Sequence, residues 1–359
     1  MKTKEIIKKI VLMVIILYVF LLSINLMGAS FKLFGNGFAE TLISFTTNPF
    51  VGLFIGILAT SIVQSSSVTT SLTVGLVAAG GLSVGTAIPI VMGANIGTSI
   101  TNTIVSMGHI TRKAEFKKAF SAAIVHDFFN ILAVIILFPL ELFTHLIEKS
   151  AVLLTGLFIG SQTVGFTSPL KMILKPVTLI IKDLLAGNAY MILALALVLI
   201  FLSLRYFVKI ARPLAQTEFN SLLQKHLFKN PVRGFTCGLL LTAFVQSSSV
   251  TTSLIVPLVG LGILTLEKIF PYTLGANVGT TITAVLAALA TNSPAALTVA
   301  FAHLMFNIFG IITIYPIRRI PFALSNFVAD LSYKSRIYPI AYIASTFYLL
   351  PSAVVFFVH

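Results

Sequence analysis

Charged residues are scarce in this sequence. Only 9% of its 359 residues are charged, against about 25% in an ordinary soluble domain, which is too few to cover a soluble core of this length. The mean hydropathy is +1.03. The alternating ten-residue segments of a transmembrane β-barrel are also absent. The chain instead contains apolar runs of about 20 residues, long enough to cross a bilayer about 30 Å thick as helices. They lie at 10–28, 119–140, 188–208 and 293–316, and they predict an all-α polytopic membrane protein.

Cysteine is almost absent, with Cys237 as its single instance, so a disulfide within the chain is excluded. Acidic residues are scarce as well, since 10 Asp and Glu stand against 24 Lys and Arg, a net charge of +14. The basic residues cluster in short loops beside the apolar runs, where the positive-inside rule expects them, so no nucleic-acid partner is predicted. The first apolar run is long for a signal-peptide core and no cleavage site follows it, which predicts a retained first helix.

The chain contains an internal duplication. Residues 48–101 and 230–283 align without a gap at an offset of 182, and 29 of the 54 positions are identical. The shared stretches include "VQSSSVTTSL" and "GAN(I/V)GT", and a later match pairs His126 with His303 and Asn130 with Asn307. The predicted divisions are a first repeat (1–149), a connecting segment (150–186), a second repeat (187–320) and a C-terminal membrane segment (321–359).

Basic loops set the orientation of the two repeats. The positive-inside rule places the N-terminal stretch, 111–118, 205–233 and 318–319 on the inner side of the membrane. The two "QSSS" units then start from opposite sides, so the repeats are inverted, as in many secondary transporters. Each unit, 48–81 or 230–263, has "QSSS" near its middle. Its arms of about 15 residues reach about 22 Å as helix, which predicts a re-entrant hairpin with a polar tip at mid-membrane depth.

Each predicted hairpin tip combines features that favour an anion. The second arm begins at the tip, so its free N–H groups and the positive end of its helix dipole face the same place. Serine hydroxyls and a glutamine amide add further hydrogen-bond donors. The predicted anion-binding residues are Gln64, Ser65, Ser66, Ser67, Gln246, Ser247, Ser248 and Ser249.

The "GANIGT" and "GANVGT" segments are predicted to break the helices that follow the hairpins, because their glycines allow unwinding. Freed carbonyls and nearby side-chain oxygens there suit a cation. No charged residue lies between Glu40 and Arg112, so the predicted site is neutral and suits an anion accompanied by cations. The predicted cation-binding residues are Thr69, Thr70, Asn95, Thr98, Thr251, Thr252, Asn277 and Thr280.

Packing is the alternative role for these small and polar residues. Ser and Thr often act in membrane helices only as hydrogen-bonding glue, and pairs such as Gly93 and Gly97 let helices approach each other. Two identical hydroxyl rows in opposed repeats favour a binding role instead. His126 is interpreted as a packing residue. Asp127, whose counterpart is Leu304, is assigned a surface or ion-pair role near the 111–118 loop.

Three stretches carry a family resemblance. The paired "QSSSVTTSL", together with "MGANIGTSITNTIVS" and "AEFKKAFSAAIVHDFFNILAVIILFPLE", closely resembles the type II sodium-phosphate cotransporters and their bacterial relatives. The resemblance implies uptake of inorganic phosphate with sodium as the coupling ion and no other cofactor. It assigns the anion site to phosphate and the cation site to sodium. The short, cysteine-free connection 149–187 points to a bacterial protein of the cell (inner) membrane. The absence of an acidic residue in 77–85 leaves the sodium stoichiometry open.

Other functions are weighed against this one. A transporter of the same build could move another oxyanion or export phosphate, and a channel is disfavoured because paired inverted tips suit alternating access. An enzyme is disfavoured because the polar centre lacks an acid, base or metal cluster. The oligomeric state is left open. So is the crossing of 337–358, which Pro339 and Pro351 interrupt.

Overall fold

The computed structural model describes residues 11–358 apart from 24, 27–28, 31–32, 34–45, 47, 159–168, 216–226, 290 and 292. The basic N-terminal stretch and Lys225 of the predicted inner loops lie outside the described residues. The main helices, in chain order, are α1 Val11–Ser23, α2 Pro49–Val63, α3 Ser66–Ala78, α4 Val84–Gly97, α5 Ile100–Ser106, α6 Lys113–Thr144, α7 Leu146–Phe158, α8 Pro169–Leu184, α9 Ala189–Ala215, α10 Pro231–Val245, α11 Ser248–Ser253, α12 Val256–Gly260, α13 Leu266–Leu289, α14 Pro294–Ile314, α15 Arg319–Lys334, α16 Ile337–Ala344 and α17 Leu350–Val358.

Five helical stretches in the described part of the chain are long and apolar enough to cross a membrane. They are Val84–His109, Lys113–Thr144, Leu266–Leu289, Pro294–Ile314 and Ile337–Val358. The prediction of an all-α chain with membrane-spanning helices is thereby confirmed. The predicted runs 119–140 and 293–316 correspond to α6 and α14. The run 10–28 is described as helix over Val11–Ser23, and 188–208 lies within α9.

The C-terminal segment is a continuous helical stretch from Ile337 to Val358, long and apolar enough to cross a membrane in spite of its two prolines. Pro339 stands in the first turn of α16, where backbone N–H groups have no acceptor within the helix, so the missing N–H of proline breaks no helical hydrogen bond. Pro351 follows a π-helical turn, Ser345–Leu349, which links α16 to α17 without ending the helix. A wider turn of this kind accommodates the missing N–H of Pro351.

The first arms of the two "QSSS" units have the same local structure. Each is a 15-residue helix, α2 or α10, that starts with an Asn-Pro pair. The Asn48 side chain accepts from the Phe50 N–H at 2.8 Å, and the Asn230 side chain accepts from the Arg233 N–H at 2.9 Å. Proline suits the first helical position because its missing N–H would be unpaired there. The predicted arm length of about 15 residues is therefore found in the first arms, whereas the second arm is a 13-residue helix, α3, in the first copy and is divided into α11 and α12 in the second.

The glycines of both copies allow helices to touch rather than to unwind. A Cβ atom on Gly93 would lie 1.9 Å from the carbonyl oxygen of Leu53, and one on Gly275 would lie 1.9 Å from that of Phe235. Backbone therefore meets backbone between α2 and α4, and between α10 and α13. The packing role that was the alternative for Gly93 is the observed one.

The predicted helix breaks are present in the first copy only. The first copy breaks at Thr98–Ser99, between α4 and α5. The prediction is wrong for the second copy, since α13 runs unbroken through 275–280. Its break comes earlier, between α11 and α12, where Pro257 cannot donate a hydrogen bond to the preceding turn. The aligned residue in the first copy is Gly75, and α3 continues through it.

The two copies pack across each other. Helix α3 contacts α13 and α14 of the second copy, while α11 and α12 contact α5 of the first, and α4 contacts α14. Outside this centre, α15 lies along α6 and α17 lies along α2. Each second arm is consequently held against the opposite copy, and the polar segments meet at the interface between them.

Candidate functional site

The first tip is a short turn between α2 and α3. Gln64 ends α2 in the left-handed region, with φ of 54°, and neither polar atom of its buried side-chain amide has a hydrogen-bond partner within the described part of the chain. Ser65 caps α3 by accepting from the Val68 N–H at 3.4 Å. This leaves the Ser65 hydroxyl proton free to be donated elsewhere. Ser66 is buried and Ser67 is half-buried.

The second tip repeats this turn. Gln246 has φ of 55°, and Ser247 accepts from the Val250 N–H at 3.3 Å. Ser248 and Ser249 are both buried. The Ser249 hydroxyl donates to the carbonyl oxygen of Thr98 at 3.4 Å, so the second tip touches the helix break of the first copy.

Most of the predicted cation-binding threonines donate to their own helix. Thr98 and Thr280 donate to the carbonyl oxygens of Ala94 and Ala276, at 2.9 and 3.0 Å. Thr251 and Thr252 bond back four residues in the same way. Because the proton is used, the oxygen lone pairs are what these side chains offer, and a hard cation takes oxygen lone pairs. Thr70 differs, since its buried hydroxyl has no hydrogen-bond partner among the residues that the structure describes.

Thr69 and Asn102 make further hydrogen bonds beside the two tips. Thr60 donates to Thr69 at 3.0 Å, which ties the two arms of the first hairpin together. Asn102 accepts from Thr252 at 2.9 Å and from Ser253 at 3.0 Å, across the interface. Asn102 is not among the residues predicted from the sequence, because its role depends on contact with the other copy. The residue aligned with it in the second copy is Ala284.

The two predicted asparagines bond to histidines of the opposite copy. Asn277 lies 2.5 Å from the Nε2 of His126, and Asn95 lies 3.2 Å from the Nε2 of His303. All four side chains are buried. The interpretation of His126 as a buried, hydrogen-bonded packing residue agrees with this geometry, and the sequence pairing of the two histidines corresponds to a structural pairing.

Asp127 was assigned to the wrong environment by the sequence analysis. It lies 14 residues beyond the start of α6, about 21 Å along the helix axis, and its side chain is 0% exposed. One carboxylate oxygen accepts from the Tyr342 hydroxyl at 2.8 Å, and the other has no hydrogen bond among the described residues. Ser99, at the helix break, lies beside the carboxylate. The position of this acidic residue in the middle of the apolar run 119–140 is the feature of the sequence that could have predicted its burial.

In the described part of the chain, one cluster has metal-binding residue types. Glu141, His145 and Glu148 place ligand atoms within 4.8 Å of one another where α6 meets α7. The Glu141 carboxylate accepts from the N–H groups of Ile147 at 2.6 Å and Glu148 at 3.2 Å. It therefore caps α7, which accounts for its position without a metal.

The arrangement has recognisable relatives. The model of the Na+/Pi-cotransporter family matches residues 19–166 and 185–327, which include both tips and both His–Asn pairs. The chain belongs to this family. Its curated relatives include sodium-dependent phosphate transport protein 2B of Pongo abelii and of Homo sapiens, each 32% identical over 96% of this chain. Sodium-dependent phosphate transport protein 2A of Oryctolagus cuniculus is 34% identical over 96% of the chain.

The chain spans 65%, 64% and 67% of the length of these three family members. No solved structure matches the chain. The five long apolar helices of the described residues fit a membrane protein of this family.

Proposed function

We propose that this chain is a secondary active transporter that couples sodium to the symport of inorganic phosphate across the cell membrane by alternating access. The observation that carries the proposal is the pair of "QSSS" tips, each held against the opposite copy in a family whose relatives are named for this activity. The proposal includes no enzymatic activity and no cofactor besides sodium as the coupling ion.

The phosphate site is proposed to lie between the tips, at Gln64–Ser67 and Gln246–Ser249. The Gln64 amide, which has no partner among the described residues, and the helix-capping serines Ser65 and Ser247 supply hydrogen-bond donors. Neither tip contains a Lys or Arg. An anion buried without an opposite charge is strongly disfavoured. Phosphate binding is therefore expected to depend on sodium ions bound beside it.

The sodium ions are proposed to bind where oxygen lone pairs collect near the break in the first copy. Thr69, Thr70, Thr98, Thr251, Thr252 and Thr280 remain the proposed neutral ligands, with Asn95 and Asn277 beside them. Asp127 joins them, because its free carboxylate oxygen is buried and faces no cation among the described residues. A buried carboxylate calls for an opposite charge, and a hard cation is the partner that suits it.

The two copies are proposed to form inverted repeats with re-entrant hairpins, divided as the sequence analysis gives them, in a bacterial inner membrane. Support comes from the 15-residue length of α2 and α10, about 22 Å of helix, and from the basic loops. Single cysteines in a Cys237→Ser background test the topology by accessibility labelling. Labelling of 111–118 and 209–230 from the same side is expected, and labelling from opposite sides would contradict the inversion.

Uptake of labelled phosphate into proteoliposomes tests the function. Uptake is expected to require an inward sodium gradient and to resist excess sulfate, and competition by sulfate would favour another oxyanion as substrate. Gln64→Ala or Ser248→Ala removes one bond to a charged group, which costs about 1.5–3 kcal/mol, or about 10- to 150-fold in phosphate affinity. Ser150→Ala is the control, since this half-buried serine lies in α7, outside both tips, and its hydroxyl donates to Leu146 of its own helix. Unchanged affinity in both tip variants would assign the hydroxyl rows to packing.

A further inference from the structure

We propose that His126 and His303 are positioning residues, which hold the two repeats in register through a central clasp. The clasp consists of His126, His303, Asn95, Asn130 and Asn277. This inference rests on the proposed function for its consequence in transport, but the contacts that define the clasp do not depend on it.

The clasp has the symmetry of the duplication and crosses between the copies. His126 on α6 bonds to Asn277 on α13 at 2.5 Å, and His303 on α14 bonds to Asn95 on α4 at 3.2 Å. Asn95 aligns with Asn277, and His126 aligns with His303. In these two pairs each copy contributes one histidine and one asparagine, and each histidine reaches into the other copy; Asn130 of the first copy is the fifth member.

The direction of the bonds is fixed by chemistry. An amide oxygen only accepts, so each histidine must carry its proton on Nε2. The amide nitrogen of Asn277 donates to the side-chain oxygen of Asn130 at 2.9 Å, and that of Asn130 donates to the backbone oxygen of Asn95 at 3.0 Å. A chain of hydrogen bonds thus runs from His126 on α6 to Asn277 on α13, returns to Asn130 on α6, and ends at the backbone of Asn95 on α4.

The environment makes these bonds consequential. All five side chains are between 0% and 2% exposed, and a buried polar group that loses its partner has no water to replace it. Asn95 and Asn277 lie three residues before Thr98 and Thr280, nearly one helical turn. A rotation of either amide would therefore disturb the turn that carries the proposed sodium ligands, and Thr98 also receives the Ser249 hydroxyl.

Two substitutions of the same residue separate the clasp from simple packing. The amide nitrogen of glutamine reaches nearly as far as the Nε2 of histidine, whereas that of asparagine reaches only as far as Nδ1. His126→Gln and His303→Gln therefore keep the donor, and His126→Asn and His303→Asn remove it. His145→Asn is the matched control, because His145 is exposed and, among the described residues, its side chain bonds to the neighbouring Glu148.

The measurement is a sodium titration of the thermal unfolding midpoint of the purified full chain. We expect the Asn variants to lower the midpoint and to raise the half-saturating sodium concentration about tenfold, the effect of one lost buried hydrogen bond. The Gln variants should stay within about threefold of the unsubstituted chain, since they keep the bond. His126→Asn combined with Asn277→Ala should lower the midpoint by less than the sum of the two single changes, because both changes break the same bond between these residues.

Three results would overturn the inference. Equal losses in the Gln and Asn variants would mean that ring volume matters and the donor does not. Asn variants that match the unsubstituted chain would show that the clasp is not needed. A lowered midpoint with unchanged sodium dependence would reduce the clasp to packing. Because the titration needs no transport, a chain that fails to take up phosphate would refute the proposed function alone.

Discussion

Gly93→Ala tests the close backbone contact between α2 and α4. The added Cβ would lie 1.9 Å from the Leu53 carbonyl oxygen and 3.0 Å from the Ile57 nitrogen. Ordinary contact begins at 3.4 Å, so the atoms need 3.4 − 1.9 = 1.5 Å more room. The obstructing atoms are backbone, and α2 and α4 must therefore separate along their whole contact face.

The magnitude follows from two opposed effects. Overpacking of this kind costs about 1–3 kcal/mol, occasionally more, and the better helix propensity of alanine returns about 1 kcal/mol. The clash is with main chain, so we expect the upper end of the cost to prevail. At roughly 2–4 °C per kcal/mol, the unfolding midpoint should fall on the order of 5 °C. Gly275→Ala should behave alike, because its Cβ would lie 1.9 Å from the Phe235 oxygen.

Gly75→Ala is the matched control. Gly75 lies inside α3 with no atom within 4 Å of its Cβ position, so only the propensity gain of about 1 kcal/mol remains and the midpoint should rise slightly. The chain has no tryptophan, so far-UV circular dichroism or a thiol-reactive dye at the half-buried Cys237 serves as the probe. Equal midpoints for Gly93→Ala and Gly75→Ala would refute the close-contact argument.

Two further predictions concern the polar interface. Asp127→Leu replaces the aspartate by the residue that the second copy has at this position, Leu304. It should raise the sodium concentration for half-maximal uptake by at least about tenfold, since a charged ligand is lost. Unchanged sodium dependence would show that Asp127 is not part of the sodium site. Asn102→Ala leaves the Ser253 hydroxyl without its acceptor, which should destabilise the chain by about 1–3 kcal/mol, and an unchanged circular-dichroism melting curve would contradict that.

Local properties of the sequence determined much of this protein. The scarcity of charge and the long apolar runs indicate an all-α chain with membrane-spanning helices, because only helices and closed barrels pair every backbone polar group in lipid and the barrel pattern is absent. The Asn-Pro starts and the 15-residue arms of α2 and α10 were also predictable, since helix starts depend on neighbouring residues. The duplication identified both "QSSS" tips and paired His126 with His303.

Tertiary contact decided the rest. Identical "GAN" stretches lie in a broken helix in one copy and in a continuous helix in the other, so their glycines alone do not determine the break. Asp127 is wholly buried beside Tyr342, which lies 215 residues away in the chain. The asparagines proposed as sodium ligands are held by histidines of the opposite repeat. The sequence determined which groups are present and the local turns that carry them, whereas partners distant in sequence depend on how the copies cross, which no local pattern encodes.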